Sequence, residues 1–290
     1  MDAREIQAMI TLLEDPSEDI FNTLFSSLLE KGPEIIPELE KAWENSDDQL
    51  YQERIENLIQ KIQLNALEKD IINWMRSDHA DILRGAYLIA KLQFPDLKYS
   101  YVNEPVEKIK NDVWIELNDN LTALEKIKIL NHILFKVHSF SKNITNHLNP
   151  QNSYLNQVIE TKKGNSVSIA IIYLAVCKKL DLPVFGVDLP GNMILAFLDE
   201  SGLNLESEYQ DSNILFYINP YNKGAVLGKQ EIEYHLKHSR IEPLKSYFTP
   251  CSNRVIIKKM VSTLITSYEN LGYQDKILEL ERILKLFPSE

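Results

Sequence analysis

The stretch Ser166–Leu180 (SVSIAIIYLAVCKKL) limits the possible folds more than any other part of the chain. It is apolar on nearly every side, and a helix without a polar face must be enclosed by the rest of the molecule. A Gly164-Asn165 break precedes it and Asp181-Leu182-Pro183 closes it. Its longest apolar stretch, Val167 to Cys177 with a serine inside, is eleven residues long, about half of the ~20 that a membrane-spanning helix needs. A buried central helix is therefore expected. Short β-rich segments follow, Val184 to Val187, Met193 to Leu198 and Ile214 to Ile218, separated by turn residues and sufficient for a small antiparallel sheet. A buried helix followed by a few antiparallel strands predicts an α+β core, and 290 residues are ample to enclose one.

The remainder reads as helix, so the predicted fold class is α+β and predominantly helical. In the first part, Asp15-Pro16-Ser17 interrupts one helix, and Ser17 can cap the next, which carries Ile20, Leu24, Phe25, Leu28 and Leu29. Gly32-Pro33 ends it. Ile35, Ile36, Leu39 and Trp43 follow, then an Asn45–Asp48 loop, then Leu50, Ile55, Leu58, Ile59 and Ile62. Helices of about a dozen residues are expected here, paired in a HEAT-like array. The helical pattern continues from Asp81 to Leu148. At the other end, Arg254–Tyr268 and Tyr273–Phe287 flank Leu271-Gly272 and predict a helical hairpin. Three modules result: an acidic helical module at 1–79, a core at 80–250 and the hairpin at 251–290.

Charge sharpens this division. Residues 1–120 hold 12 Lys and Arg against 25 Asp and Glu, whereas 121–290 hold 19 against 17. An overall charge of -11 disfavours nucleic acid, which is held by clustered basic groups that release counterions. Only nine glycines are available for phosphate loops or tight hairpins. Two cysteines, Cys177 and Cys251, are too few for a disulfide framework and lack metal-ligand spacing. No apolar leader follows Met1-Asp2-Ala3-Arg4-Glu5. A cytoplasmic protein with no membrane, metal or cofactor requirement is expected.

Several landmarks recur in the order of a known family. Asn152–Ser168 (NSYLNQVIETKKGNSVS), Leu182–Gly191 (LPVFGVDLPG) and Ile218–Gly224 (INPYNKG) resemble three signatures of the SirB N-terminal group of the transglutaminase-like superfamily. Leu88–Leu97 is similar to its leading helix, and Arg254–Pro288 to its closing tetratricopeptide-like hairpin. The resemblance covers roughly residues 80–290 and implies a transglutaminase-like core, a buried helix plus a small antiparallel sheet, flanked by helical repeats.

Active members of that superfamily use a Cys-His-Asp triad, in which a thiolate attacks, an imidazole carries the proton and a carboxylate orients the ring. The resemblance places the three positions at Ser166, Asn192 and Asn219, and implies that they gather at the start of the buried helix. All three differ from the triad. A carboxamide accepts no proton near neutral pH, so the shuttle is lost even if Ser166 replaces the thiol. Ser168, a serine that the group often carries, is the secondary candidate, with a helix-start hydroxyl bond as its structural role.

Other candidates read as structural. Cys177 lies inside the apolar helix as a core thiol, and Cys251 sits in a polar linker. His235 and His238 share a solvated helix face, while His132, His138 and His147 precede the core. Lys162-Lys163 matches a basic pair in the family signature and can hold an acidic group near the pocket mouth. The expected function is a catalytically inactive transglutaminase-like protein serving as a binding or scaffold module, with a protein partner or a second copy. The alternative is residual acyl transfer or hydrolysis through Ser166 or Ser168.

Overall fold

The computed structural model describes residues 3–78, 80–199 and 213–288. The chain divides into two compact units, Met1–Asn73 and Trp74–Glu290.

The first unit contains α1 (Ala3–Thr11), α2 (Glu18–Lys31), α3 (Ile36–Glu44) and most of α4 (Gln49–Arg76). Ile10, Leu13, Leu28, Leu39, Ile55 and Leu58 form its core. The first turns of α4 bond back across it. Tyr51 Oη donates to the Ile10 carbonyl at 3.0 Å, and Arg54 Nη1 donates to the carbonyls of Leu13 and Asp15. Two expectations change here. Ser17 holds the N-cap position of α2, but its side chain makes no capping bond. Instead its N–H donates to Asp15 Oδ1 at 2.8 Å, closing an Asx turn at the proline. The fourth helix has 28 residues rather than about a dozen, because no Gly or Pro interrupts it.

The second unit begins with α5 (Ile82–Lys91), α6 (Tyr99–Glu116) and α7 (Ala123–Asn131), the last running into a π-helical segment at His132–Val137. Next come β1 (Ser141–Lys142), α8 (Leu155–Thr161), β2 (Lys163–Gly164) and α9 (Ser166–Lys179). β3 (Val184–Leu189), β4 (Asn192–Leu198), β5 (Ile214–Asn219) and β6 (Ala225–Leu227) form an antiparallel sheet in the order β3-β4-β5-β6. α10 (Lys229–His238), α11 (Asn253–Leu271) and α12 (Gln274–Leu284) complete the unit. The structure is thus α+β and predominantly helical. The helical reading of Asp81–Leu148 is corrected at β1, which pairs in parallel with β2. Two-residue strands carry no alternation that a sequence can display.

From Val167 to Cys177 every residue of α9 is buried. It packs on β3 and β4 across one sheet face, where α11 also lies against β3. Gly186 permits this contact, since a Cβ there would come within 2.5 Å of Ile256 Cδ1 and 3.6 Å of Leu174 Cδ1. On the opposite face, Val187, Ile194, Ala196, Leu198 and Tyr217 pack with Ile232 and Leu236 of α10 and with Phe248. Gly272, with φ at +76°, ends α11 in the left-handed conformation, and α12 folds back upon it.

Candidate functional site

The start of α9 is held by side chains rather than by backbone alone. Asn165 caps the helix, its Oδ1 accepting the N–H groups of Val167 at 3.1 Å and Ser168 at 2.9 Å. Its own N–H donates to Ser168 Oγ at 3.0 Å, which completes a capping box. Asn165 Nδ2 donates to Ser153 Oγ at 2.7 Å. Ser168 Oγ donates to the Asn152 carbonyl at 2.6 Å and is wholly buried. The Ser168 hydroxyl thus both donates and accepts within the fold, away from solvent. Asn165 was legible only as part of a break, although Asn-x-x-Ser at the head of an apolar run is a capping pattern.

Ser166 is the first residue of α9, is partly exposed, and makes no side-chain hydrogen bond among the described residues. Asn192 opens β4 opposite Leu189, and its Oδ1 accepts the N–H of Met193 at 2.9 Å. Asn219 closes β5, where its Oδ1 accepts the Asn222 N–H at 3.2 Å and its carbonyl accepts the Gly224 N–H at 2.9 Å. These two carboxamides are brought together at one end of the sheet. Leu195 pairs with Ile218, so one further step sets Asn219 level with Ile194, two residues from Asn192. Alternation along the strands then assigns both to the face of Ile194 and Tyr217, which packs on α10. The face that carries α9 is the other one. No hydrogen bond joins Ser166, Asn192 and Asn219 among the described residues, although the Pro220–Asn222 turn after Asn219 does pack on α9.

That turn forms one wall of a cavity of about 430 Å³. Lys142 on β1, Lys163 on β2 and Lys223 line it, with Tyr221, Thr145 and Phe135 of the π-helical segment. Asn131 fixes the wall. Its Nδ2 donates to the Gly224 carbonyl at 2.9 Å while its Oδ1 accepts from Tyr173 Oη at 3.0 Å. Gly224 has φ at +73°, and a Cβ there would fall 1.8 Å from Asn131 Oδ1, so only glycine fits. Lys162, beside Lys163, lies instead with its Nζ 4.8 Å from the Phe140 ring, and burial, with Lys108 nearby, lowers its ammonium pKa.

The remaining candidates are dispersed. Burial pushes the Cys177 thiol well above the ordinary range. Cys251 keeps some exposed surface, yet burial, reinforced by Asp188, pushes its thiol up to about 12. His138 Nε2 lies 2.7 Å from Asp112 Oδ2, a pairing not legible in the sequence. The His238 ring stacks on Tyr234. No group of His, Cys, Asp and Glu suited to a metal occurs among the described residues, nor does any helix long and apolar enough to cross a membrane.

A buried helix laid on a four-stranded antiparallel sheet, with polar residues converging where the helix begins, defines a transglutaminase-like α+β core. A family model described as the transglutaminase-like superfamily matches residues 100–262, and the chain belongs to that superfamily. Relatives include a UPF0162 protein of Xylella fastidiosa (strain 9a5c), 26% identical over 72% of this chain and 73% of its own. Protein SirB1 of Salmonella typhimurium is 24% identical over 73% and 76%. F-box only protein 21 of Mus musculus is 24% identical over 54% of this chain and 23% of its own. No solved structure matches.

Proposed function

We propose that the protein is a catalytically silent member of its superfamily that works by binding, as a scaffold or recognition module. The observation that carries this reading is the presence of carboxamides, Asn192 and Asn219, at the positions of the family's imidazole and carboxylate, each with its oxygen bonded to a nearby backbone N–H. Acyl transfer needs a base that takes a proton from the nucleophile and returns it to the leaving group, and a neutral amide does neither. Among the described residues, no side chain in hydrogen-bond contact with Ser166 supplies one. Ser168 is committed to the helix cap and to the Asn152 carbonyl. Loss of a whole triad costs on the order of 10⁶ in turnover in subtilisin.

The same proposal includes a protein partner or a second copy, with the acidic segment 1–79 as the surface that steers a basic partner in a salt-dependent way. It includes a cytoplasmic location, with which two free cysteines are compatible. The test is turnover by the purified full chain against p-nitrophenyl acetate, a peptide library and an amine-incorporation substrate. No turnover above buffer is expected. Turnover abolished by Ser166→Ala or Ser168→Ala would overturn the reading and establish residual acyl transfer or hydrolysis instead.

A further inference from the structure

The geometry points to the cavity between β1, β2 and the Pro220–Lys223 turn as a recognition site for a small phosphate monoester with an apolar body. This deepens the reading of a binding fold by giving it a ligand class. In a chain of net charge -11, three lysines, Lys142, Lys163 and Lys223, line one cavity that has no Asp or Glu among its described lining residues. None of the three has a carboxylate partner among the described residues. Lys142 Nζ instead lies 5.8 Å from the centroid of the Tyr221 ring. Like charges gathered without counter-charge repel one another, and an anion placed among them relieves that repulsion.

The donor set favours phosphate over carboxylate. Three ammonium point charges suit a phosphate monoester, which carries about -1.5 to -2 charge at pH 7 against -1 for a carboxylate. Ser141, Thr145 and Asn222 add neutral hydrogen-bonding groups to the lining. Tyr221, Phe135, Pro220 and Ile144 give the remainder an apolar character, and about 430 Å³ lies within the ~300–1,000 Å³ range of small-molecule sites.

The walls are also fixed in advance. Asn219 caps the Pro220–Asn222 turn, Asn131 ties Gly224 to Tyr173 of α9, and β1 is paired to β2. Phe135 reaches the cavity from a π-helical segment, a helix irregularity that recurs at functional sites. Binding then has to order the three exposed lysine side chains rather than the backbone of the walls.

The experiment titrates the full chain with phenyl phosphate, inorganic phosphate and benzoate, by calorimetry in low-salt buffer. Phenyl phosphate is expected to saturate at one site and to weaken as sodium chloride is added. Each of Lys142→Gln, Lys163→Gln and Lys223→Gln should weaken it by about threefold, the scale of one exposed charge contact, and the triple variant by about thirtyfold. Lys128→Gln, Lys237→Gln and Lys245→Gln together, which change net charge equally, should leave it unchanged. Inorganic phosphate binding with the same lysine dependence would retain the site as one for free phosphate. Benzoate binding as well as phenyl phosphate, an unaffected triple variant, or no saturable binding would overturn the assignment. Such a failure leaves the loss of the proton shuttle untouched, whereas acyl turnover would overturn that reading without bearing on phosphate binding.

Discussion

The hydroxyl of Ser168 donates to the carbonyl of Asn152 at 2.6 Å, which ties the first turn of the buried helix to the loop that leads into α8. The same oxygen accepts the N–H of Asn165. Ser168→Ala is therefore expected to remove both bonds while the Asn165 N–H and the Asn152 carbonyl keep their own bond at 3.1 Å, and to destabilise the fold by about 1 kcal/mol. Ser166→Ala, two residues away, removes a partly exposed hydroxyl that makes no side-chain hydrogen bond among the described residues and should stay within about 0.5 kcal/mol of the unsubstituted protein. Urea unfolding at pH 7 separates the two. Equal effects would show that Ser168 does not anchor the helix.

Gly224 and Gly191 both adopt positive φ, at +73° and +70°, but in different surroundings. A Cβ on Gly191 meets nothing within 4 Å, so Gly191→Ala should cost about 1–2 kcal/mol, the left-handed strain alone. Gly224→Ala carries that strain and also drives the methyl into Asn131, breaking the bonds from Asn131 to the Gly224 carbonyl and to Tyr173. An additional loss of about 1–3 kcal/mol is expected. In a double-mutant cycle with Asn131→Ala, the two losses should be clearly less than additive.

Both cysteines should resist thiol reagents in the folded state. A thiolate is the reactive form, and burial raises both thiols, Cys251 to about 12. Ellman's reagent at pH 8 is expected to label neither until denaturant is added. The same displacement couples to stability. An unfolded chain releases the thiol proton near pH 8.5, while the folded chain retains it to a higher pH. The contribution is therefore complete below about pH 8.5 and is lost as pH rises from there towards 12. Burial raises Tyr154 as well, with its bond to Tyr268 adding to the effect, so its contribution also falls on the alkaline side. Unfolding midpoints between pH 7 and 10 should fall with pH, and less steeply in Cys251→Ser.

The features legible in the sequence were those carried by composition over many residues. A stretch of eleven residues that is apolar but for Ser168 marks α9, and turn residues around Val184–Leu189 and Asn192–Leu198 mark the hairpin that packs on it. What was not legible depends on distant partners. β1 and β2 exist through pairing across more than twenty residues, and the π-helical segment at His132–Val137 has the same composition as an ordinary helix end. The length of α4 was legible but not read, since no Gly or Pro interrupts Gln49–Arg76 and the buried Leu67, Ile71 and Trp74 keep helical spacing. At the site, the sequence identified Ser166, Asn192 and Asn219 as positions. It could not reveal that strand alternation sets the two asparagines on the sheet face away from α9, nor that Asn131, far upstream, closes the turn after Asn219.

Expression of the second unit alone gives the last prediction. A fragment beginning at Trp74 retains α9, the sheet and the α11–α12 hairpin, and it should unfold cooperatively. A fragment beginning at Ala80 keeps the same elements but omits Trp74. That indole is nearly buried, its Nε1 donates to the Asp81 carbonyl at 2.7 Å, and its ring occupies the space above Gly85, where a Cβ would come within 2.5 Å. The shorter fragment also removes the carbonyls of Met75 and Ser77, which accept from Arg254 at the start of α11. Removing a buried tryptophan costs about 3–5 kcal/mol, a large part of the 5–15 kcal/mol that a domain possesses. Chemical denaturation of the two fragments should therefore show a much lower midpoint for the one beginning at Ala80. Equal midpoints would mean that residues 74–79 contribute nothing to this unit, and the boundary would then lie after them.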